Sequence, residues 1–132
     1  MNLNHPPAQP DFEIRIRNSF ERQQVMQLLN ARLAKVVPGE VHIELPFHPQ
    51  ITQQHGYVHA GIITTILDSA CGYAAFSLMP ADSSLLSVEL KMNFMVPAEG
   101  ETFDGIGKVI KSGRTLTVCS GEMQAVNQDN IL

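Results

Sequence analysis

The sequence predicts an α+β domain in which one curved antiparallel sheet wraps around a long apolar helix. Three observations predict it. The segment His59 to Leu78 is apolar nearly all the way round, as a helix enclosed by other elements would be. Leu86 to Val96 alternates apolar and polar residues with strict period two, the mark of a strand with one face on a core. Helical and strand patterns come in separate runs and not in βαβ alternation, which argues against a parallel sheet.

Each element follows from its own residues. Residues 1–10 are polar, contain three prolines and read as a loose tail, leaving 11–132 as a single domain. From Asp11 to about Asn30 the apolar residues Phe12, Ile16, Phe20, Val25, Leu28 and Leu29 recur at helical spacing, with Ser19 a candidate cap for a separate second helix. Leu33–Val37 and Val41–Phe47 read as two short strands joined at Pro38-Gly39. An irregular loop from Pro46 to Gly56 leads into the long helix, which Pro80 terminates. After the alternating strand come a turn at 97–100 and a strand over Thr102–Lys111 that Gly105 and Gly107 loosen. The turn Lys111-Ser112-Gly113-Arg114 then leads into a partner strand over Thr115–Val126, with Leu116, Val118 and Ser120 on one face and Thr117, Cys119 and Met123 on the other.

Composition removes several function classes. The chain has 132 residues, 44% hydrophobic and 17% charged, with a formal net charge of -4. Nine Lys+Arg give no basic face for tracking nucleic-acid phosphates. No apolar run reaches the roughly 18 residues of a membrane span, and the first residues lack the basic and apolar regions of a signal peptide. Two isolated cysteines, Cys71 and Cys119, form no C-x-x-C pair, so a reduced cytoplasmic setting is expected.

The chemistry centres on one charge. Asp68 is the only charged residue in HGYVHAGIITTILDSA (55–70). On a helix its face carries Gly61, Thr64, Thr65, Gly72 and Ala75, all small, while Ile63, Ile66, Leu67, Ala70 and Ala74 lie opposite. A small-residue stripe leaves a groove, and partial desolvation makes a carboxylate a better base. The groove starts at His59-Ala60-Gly61, where free backbone N–H groups at the helix N-terminus suit an oxyanion. Asp68 lies about two turns away, on the order of 10–12 Å. That gap suggests a second subunit's helix, running antiparallel, to complete the site. Blander readings stand beside this one. Asp68 could face water or pair with a nearby donor. His55 and His59 with Asp68 could bind zinc, although the spacing lacks the usual glutamate. Cys71 could be a nucleophile, although no base sits at helical spacing. Lys111 and Arg114 could be solvated turn charges.

The combination H-A-G-x5-L-D-x-A-x-G, then S-V-E-L-K-M-N-F-M-x-P-A, then K-x-G-R-T-L, resembles the hotdog-fold acyl-CoA thioesterases of the phenylacetate-degradation (PaaI-like) type. It covers about Ile43 to Val126. The resemblance implies a hotdog fold with an extra N-terminal helix. It implies a homodimer, often a dimer of dimers, with sites at the subunit interface. It implies hydrolysis of an acyl-CoA with no metal and no cofactor beyond the CoA of the substrate. By the same resemblance Asp68 is the base or nucleophile and the Ala60 N–H polarises the thioester carbonyl, flanked by His59 and Gly61. Ser87, on the partner's long strand, lies near the attacking water. Gln53, or Gln54 beside it, takes the place of an Asn common in related enzymes. The pantetheine would run along Val88, Glu89, Lys91 and Asn93, with the nucleotide near Lys111 and Arg114.

Three departures accompany the resemblance. H-G-G is H-A-G here, Asn is Gln, and relatives usually add a further strand after the segment that ends at Leu132. The apolar lining suggests a medium, long or aryl acyl group in preference to a charged one. A non-catalytic acyl-CoA binder and a hotdog dehydratase are the other readings, the latter without a helical His near Asp68 to form its expected pair.

Overall fold

The computed structural model describes His5 and residues 8–127; most of the expected tail and any strand beyond Val126 lie outside the described residues. The N-terminal helical pattern is broken in two. α1 spans Phe12–Arg22 and α2 spans Gln24–Leu28. The break falls at Gln23, whose extended backbone (φ -82, ψ 95) ends one helix and starts the next. Ser19 therefore caps nothing and sits within α1, its hydroxyl 3.1 Å from the Tyr73 hydroxyl. Ile16 and Phe20 of α1 and Met26 of α2 are buried.

β1 (Arg32–Val37) and β2 (Glu40–Pro46) form the expected hairpin, with Gly39 at φ 78 supplying the left-handed turn conformation. β3 (Thr102–Ser112) and β4 (Thr117–Val126) complete a four-stranded antiparallel sheet in the order β1-β2-β3-β4. One face carries Val41, Ile43, Leu45, Phe103 and Val109, all buried. Against it lies α3 (Ala60–Phe76), contributing Ile63, Ile66, Leu67, Ala70 and Ala74 to the same core. The helix ends two residues before the expected Leu78, where the Ser77 hydroxyl donates to the Ala74 carbonyl and accepts from the Gly39 N–H.

Two expectations are corrected. Gly105 and Gly107 do not loosen β3; they notch it. A methyl at 107 would stand 2.4 Å from the carbonyl carbon of Ala70, and one at 105 would stand 2.7 Å from Ile66 Cγ2. The helix backbone thus lies directly on the strand. The second correction concerns Leu86 to Val96. This segment joins no sheet ladder, and Leu86 and Val88 are 91% and 81% exposed. Only Met92, with Leu85 and Ala98 at its ends, packs on the core. A period-two pattern needs a neighbouring strand and a covered face to become a strand, and neither is supplied within the described residues of one chain.

Where α3 meets β4, two thiols knit the elements. Cys119 Sγ donates to the Cys71 carbonyl at 3.5 Å, and Cys71 Sγ donates to the Ser120 carbonyl at 3.6 Å. Burial, with smaller contributions from Cys119 and Asp68, pushes the Cys71 thiol up to about 12.

Two outcomes are expected. Gly107→Ala should lower stability by about 3 kcal/mol, because backbone atoms and not a flexible side-chain tip block the new methyl. A urea midpoint equal to the wild type would show that α3 is not seated on β3. In the native protein at pH 8, Cys71 should react with iodoacetamide at least about a hundredfold more slowly than an unfolded thiol of ordinary pKa about 8.5. Peptide mass spectrometry checks this, and rapid labelling of the folded protein would contradict it.

Candidate active site

α3 opens with a side-chain cap. His59 is the N-cap residue, and its Nδ1 accepts the Gly61 N–H at 2.8 Å. Gly61 suits this position because a side chain there would press on the imidazole, with Cβ only 3.1 Å from Nδ1. The His59 carbonyl takes the Ile62 N–H. Between them the exposed Ala60 N–H has no acceptor among the described residues. One turn on, the hydroxyls of Thr64 and Thr65 donate back to the carbonyls of Ala60 and Gly61, both at 2.9 Å. Their hydroxyls are thus engaged with the helix itself.

Asp68 follows, half-buried on the face of α3 turned away from the sheet. Its Oδ1 accepts a 2.5 Å hydrogen bond from Ser87 Oγ. This pair lies within one chain, whereas the resemblance implied a Ser87 on the partner's strand. Asp68, Ser69, Ser87 and Gln23 border two clefts at once. One, about 420 Å³, runs toward the start of α3 between Thr64, Thr65 and the Val88–Leu90 segment. The other, about 760 Å³, runs toward the end of α3 between α1 and residues 81–87, past Gly72, Tyr73 and Phe76. The carboxylate stands where they meet.

The remaining site candidates divide. Val88 and Glu89 border the smaller cleft. Lys91 and Asn93 are exposed further along the unpaired segment, and Lys111 and Arg114 are exposed at the β3–β4 turn; none of these four lines either cleft. Gln53 is occupied by its own loop: its Oε1 accepts the N–H groups of His55 (2.6 Å) and Tyr57 (3.2 Å). Gln54 is exposed beside it. Ala60 and Asp68 remain about 12 Å apart along α3 by helix rise. Among the described residues no three His, Cys, Asp or Glu side chains gather to hold a metal, so the zinc reading finds no ligand set. The raised Cys71 thiol is a poor nucleophile.

Sequence reasoning missed the wall built by α1 and Gln23. Gln23 Nε2 donates to Ser69 Oγ at 3.0 Å, and the Tyr73 hydroxyl lies 3.4 Å from Gln23 Oε1. Burial raises the Tyr73 phenol above its ordinary range, so it stays a neutral donor. These contacts join positions about fifty apart in the chain, and no local spacing announces them.

Residues 55–131 match the model of the thioesterase superfamily. A Saccharolobus solfataricus protein named as a candidate esterase is 30% identical over 101 residues, covering 76% of this chain and 71% of the relative. A thioesterase family protein from Silicibacter pomeroyi superposes with a TM-score of 0.89 at 48% identity, covering 91% of this chain and 88% of that one. The E. coli PaaI protein of the phenylacetic acid degradation operon shares the fold with a TM-score of 0.81 at 18% identity, over 96% and 89% of the two chains. With its helix laid across a glycine-notched antiparallel sheet, the chain belongs to the hotdog-fold thioesterase superfamily.

Proposed function

We propose that this protein hydrolyses acyl-CoA thioesters with Asp68 as base or nucleophile. The observation that carries the reading is the Asp68–Ser87 pair at the junction of two clefts. A thioester carbonyl placed there can send its CoA arm along one cleft and its acyl group along the other. The Ser87 hydroxyl holds Oδ1 and leaves Oδ2 free for the reacting centre. Asp68 takes a proton from water, whose oxygen bonds the carbonyl carbon; alternatively Oδ2 attacks directly and water cleaves the resulting anhydride. In either route the C–S bond breaks and the thiolate leaves as CoA after taking a proton.

The oxyanion goes to the Ala60 N–H of a second subunit. A homodimer is supported by the exposed apolar side chains of 86–96, which find no partner within the described residues of one chain. The resemblance supports the rest: pantetheine along Val88–Asn93 and nucleotide phosphates near Lys111 and Arg114. Medium or long aliphatic and aryl acyl groups suit the Phe76, Tyr73, Leu85 and Leu86 walls. Residues 11–132 are read as one such domain.

A second reading has its own observation. The Gln53 carbonyl oxygen is taken by the loop, so it is not available to accept a proton from a water. A protein that binds acyl-CoA without cleaving it would share this geometry. Thiol release separates the two. Asp68→Asn should lower kcat by about a thousandfold or more while the thermal transition stays within a few degrees of wild type. Wild-type turnover in that variant would remove Asp68 from the chemistry. Ser87→Ala should cost roughly tenfold in kcat, the scale of one charge-assisted hydrogen bond, and an unchanged kcat would leave Ser87 without a role.

A further inference from the structure

The far end of the larger cleft is built differently from its middle. Arg15 of α1 lays its guanidinium over the Phe76 ring, 5.2 Å from the centroid. Its Nε reaches Asp11 Oδ1 at 3.3 Å. Its Nη1 and Nη2 are buried and have no hydrogen-bond partner among the described residues. Desolvated donors on a cation are expensive to leave unmet. Arg15 and Arg22 both line this cleft, and Asp68 is the one acidic residue among the residues lining it. Arg15, with Asp11 on its Nε side, thus stands at the Phe76 end of the cleft, and the Asp68 carboxylate stands at the reacting end. Phe76 stands two turns beyond Asp68 on α3, about 12 Å by helix rise. Between the two ends, Gly72, Tyr73, Leu85 and Leu86 offer an apolar and aromatic passage.

We propose that the acyl group cleaved here carries a second carboxylate at its far end, bound by Arg15. This rests on the thioesterase reading and departs from the uncharged acyl chain that the sequence suggested. A carboxylate presents two oxygens to the paired Nη donors, a strong bidentate geometry for a guanidinium. Asn18 and Ser19 line the cleft on the same helix and add neutral polar groups. Ala81, Ser83 and Ser84, which belong to no helix or strand, line the same cleft. A methyl-ended chain of equal length leaves those donors unmet. Discrimination of this kind, by unpaired buried polar groups, exceeds what one methylene more or less can give. Arg15 acts on binding and not on the bond that breaks. Its effect should therefore fall on KM.

The test is thiol release from matched pairs of medium-chain acyl-CoAs that differ only in a methyl or carboxylate end. The wild type should favour the carboxylate member by about ten- to a hundredfold in kcat/KM, expressed mainly in KM. Arg15→Met keeps the stem over Phe76 and should bring the ratio down to within a fewfold of one, while Arg15→Lys should retain part of it. Thiol release from both members with no preference, or a preference that survives Arg15→Met, overturns the proposal and leaves the thioesterase reading standing. If neither member releases thiol, and long-chain and aryl acyl-CoAs release none either, the thioesterase reading has failed. Calorimetry of the same pairs then decides the Arg15 assignment: tighter binding of the carboxylate member upholds it, and equal Kd overturns it. The wild-type ratio is informative even if Arg15→Met fails to fold.

Discussion

The seating of α3 on β3 is the constraint on which the rest of the molecule depends. Gly107 has no room for a side chain beneath the Ala70 carbonyl, so the helix backbone and the strand meet at this one point. That contact fixes the depth of the helix and its rotation. With Ile66, Ala70 and Ala74 directed into the sheet, a residue two positions from Ile66 and two from Ala70 is turned about 200° from each. That residue is Asp68. The notch in the strand therefore decides where the carboxylate goes, although the two never touch. A helix rotated by one residue would bury the charge in the core or turn it further from Ser87.

The outer face of α3 is then walled by polar contacts and not by close apolar packing. Gln23 joins Ser69 and approaches Tyr73, and Ser19 meets the Tyr73 hydroxyl. Hydrogen bonds of this kind hold two helices at a set spacing without filling the space between them. A seam of leucines would have closed it. The aromatic contact of Phe20 with Tyr73, centroids 6.1 Å apart, anchors α1 beside this open region. The cleft is thus a product of what α1 does not bury. Its polarity follows from the residues that keep it open.

Much of this was legible in the sequence, and the failures have physical causes. The long helix, the Pro38-Gly39 hairpin and the β3–β4 pair follow from periodicity and turn chemistry. Asp68 was legible because one charge in an apolar helix needs a reason and its neighbours were small. Ser19 misled because a serine signals a cap, while here its hydroxyl serves a tyrosine of another helix. Gly105 and Gly107 misled because a glycine in a strand reads equally as weakness or as close approach; only the partner distinguishes them. The 86–96 segment misled most. Alternation encodes a face and a readiness to pair, but it does not say which chain pairs. Arg15 and Gln23 could not be read at all, since their roles lie in contacts with residues far along the chain.

The spacing of Ala60 and Asp68 carries one more consequence. An α-helix is stiff over two turns, so the free N–H at its start and the carboxylate about 12 Å along cannot both reach one carbonyl. Side-chain reach from Asp68 recovers only a few ångströms, and Thr64 and Thr65 fill the intervening turn with methyls. Two groups that stabilise one tetrahedral centre must each lie about 3 Å from its atoms. If Ala60 and Asp68 serve the same thioester, they therefore come from two copies of α3. The exposed apolar side chains of 86–96 then have a physical role: the segment that carries Ser87 to Asp68 is also the one left in need of another chain. Catalysis and association would depend on the same stretch. Substitutions at its exposed apolar positions away from both clefts, such as Phe94 and Val96, would act on turnover through the dimer and not through the chemistry.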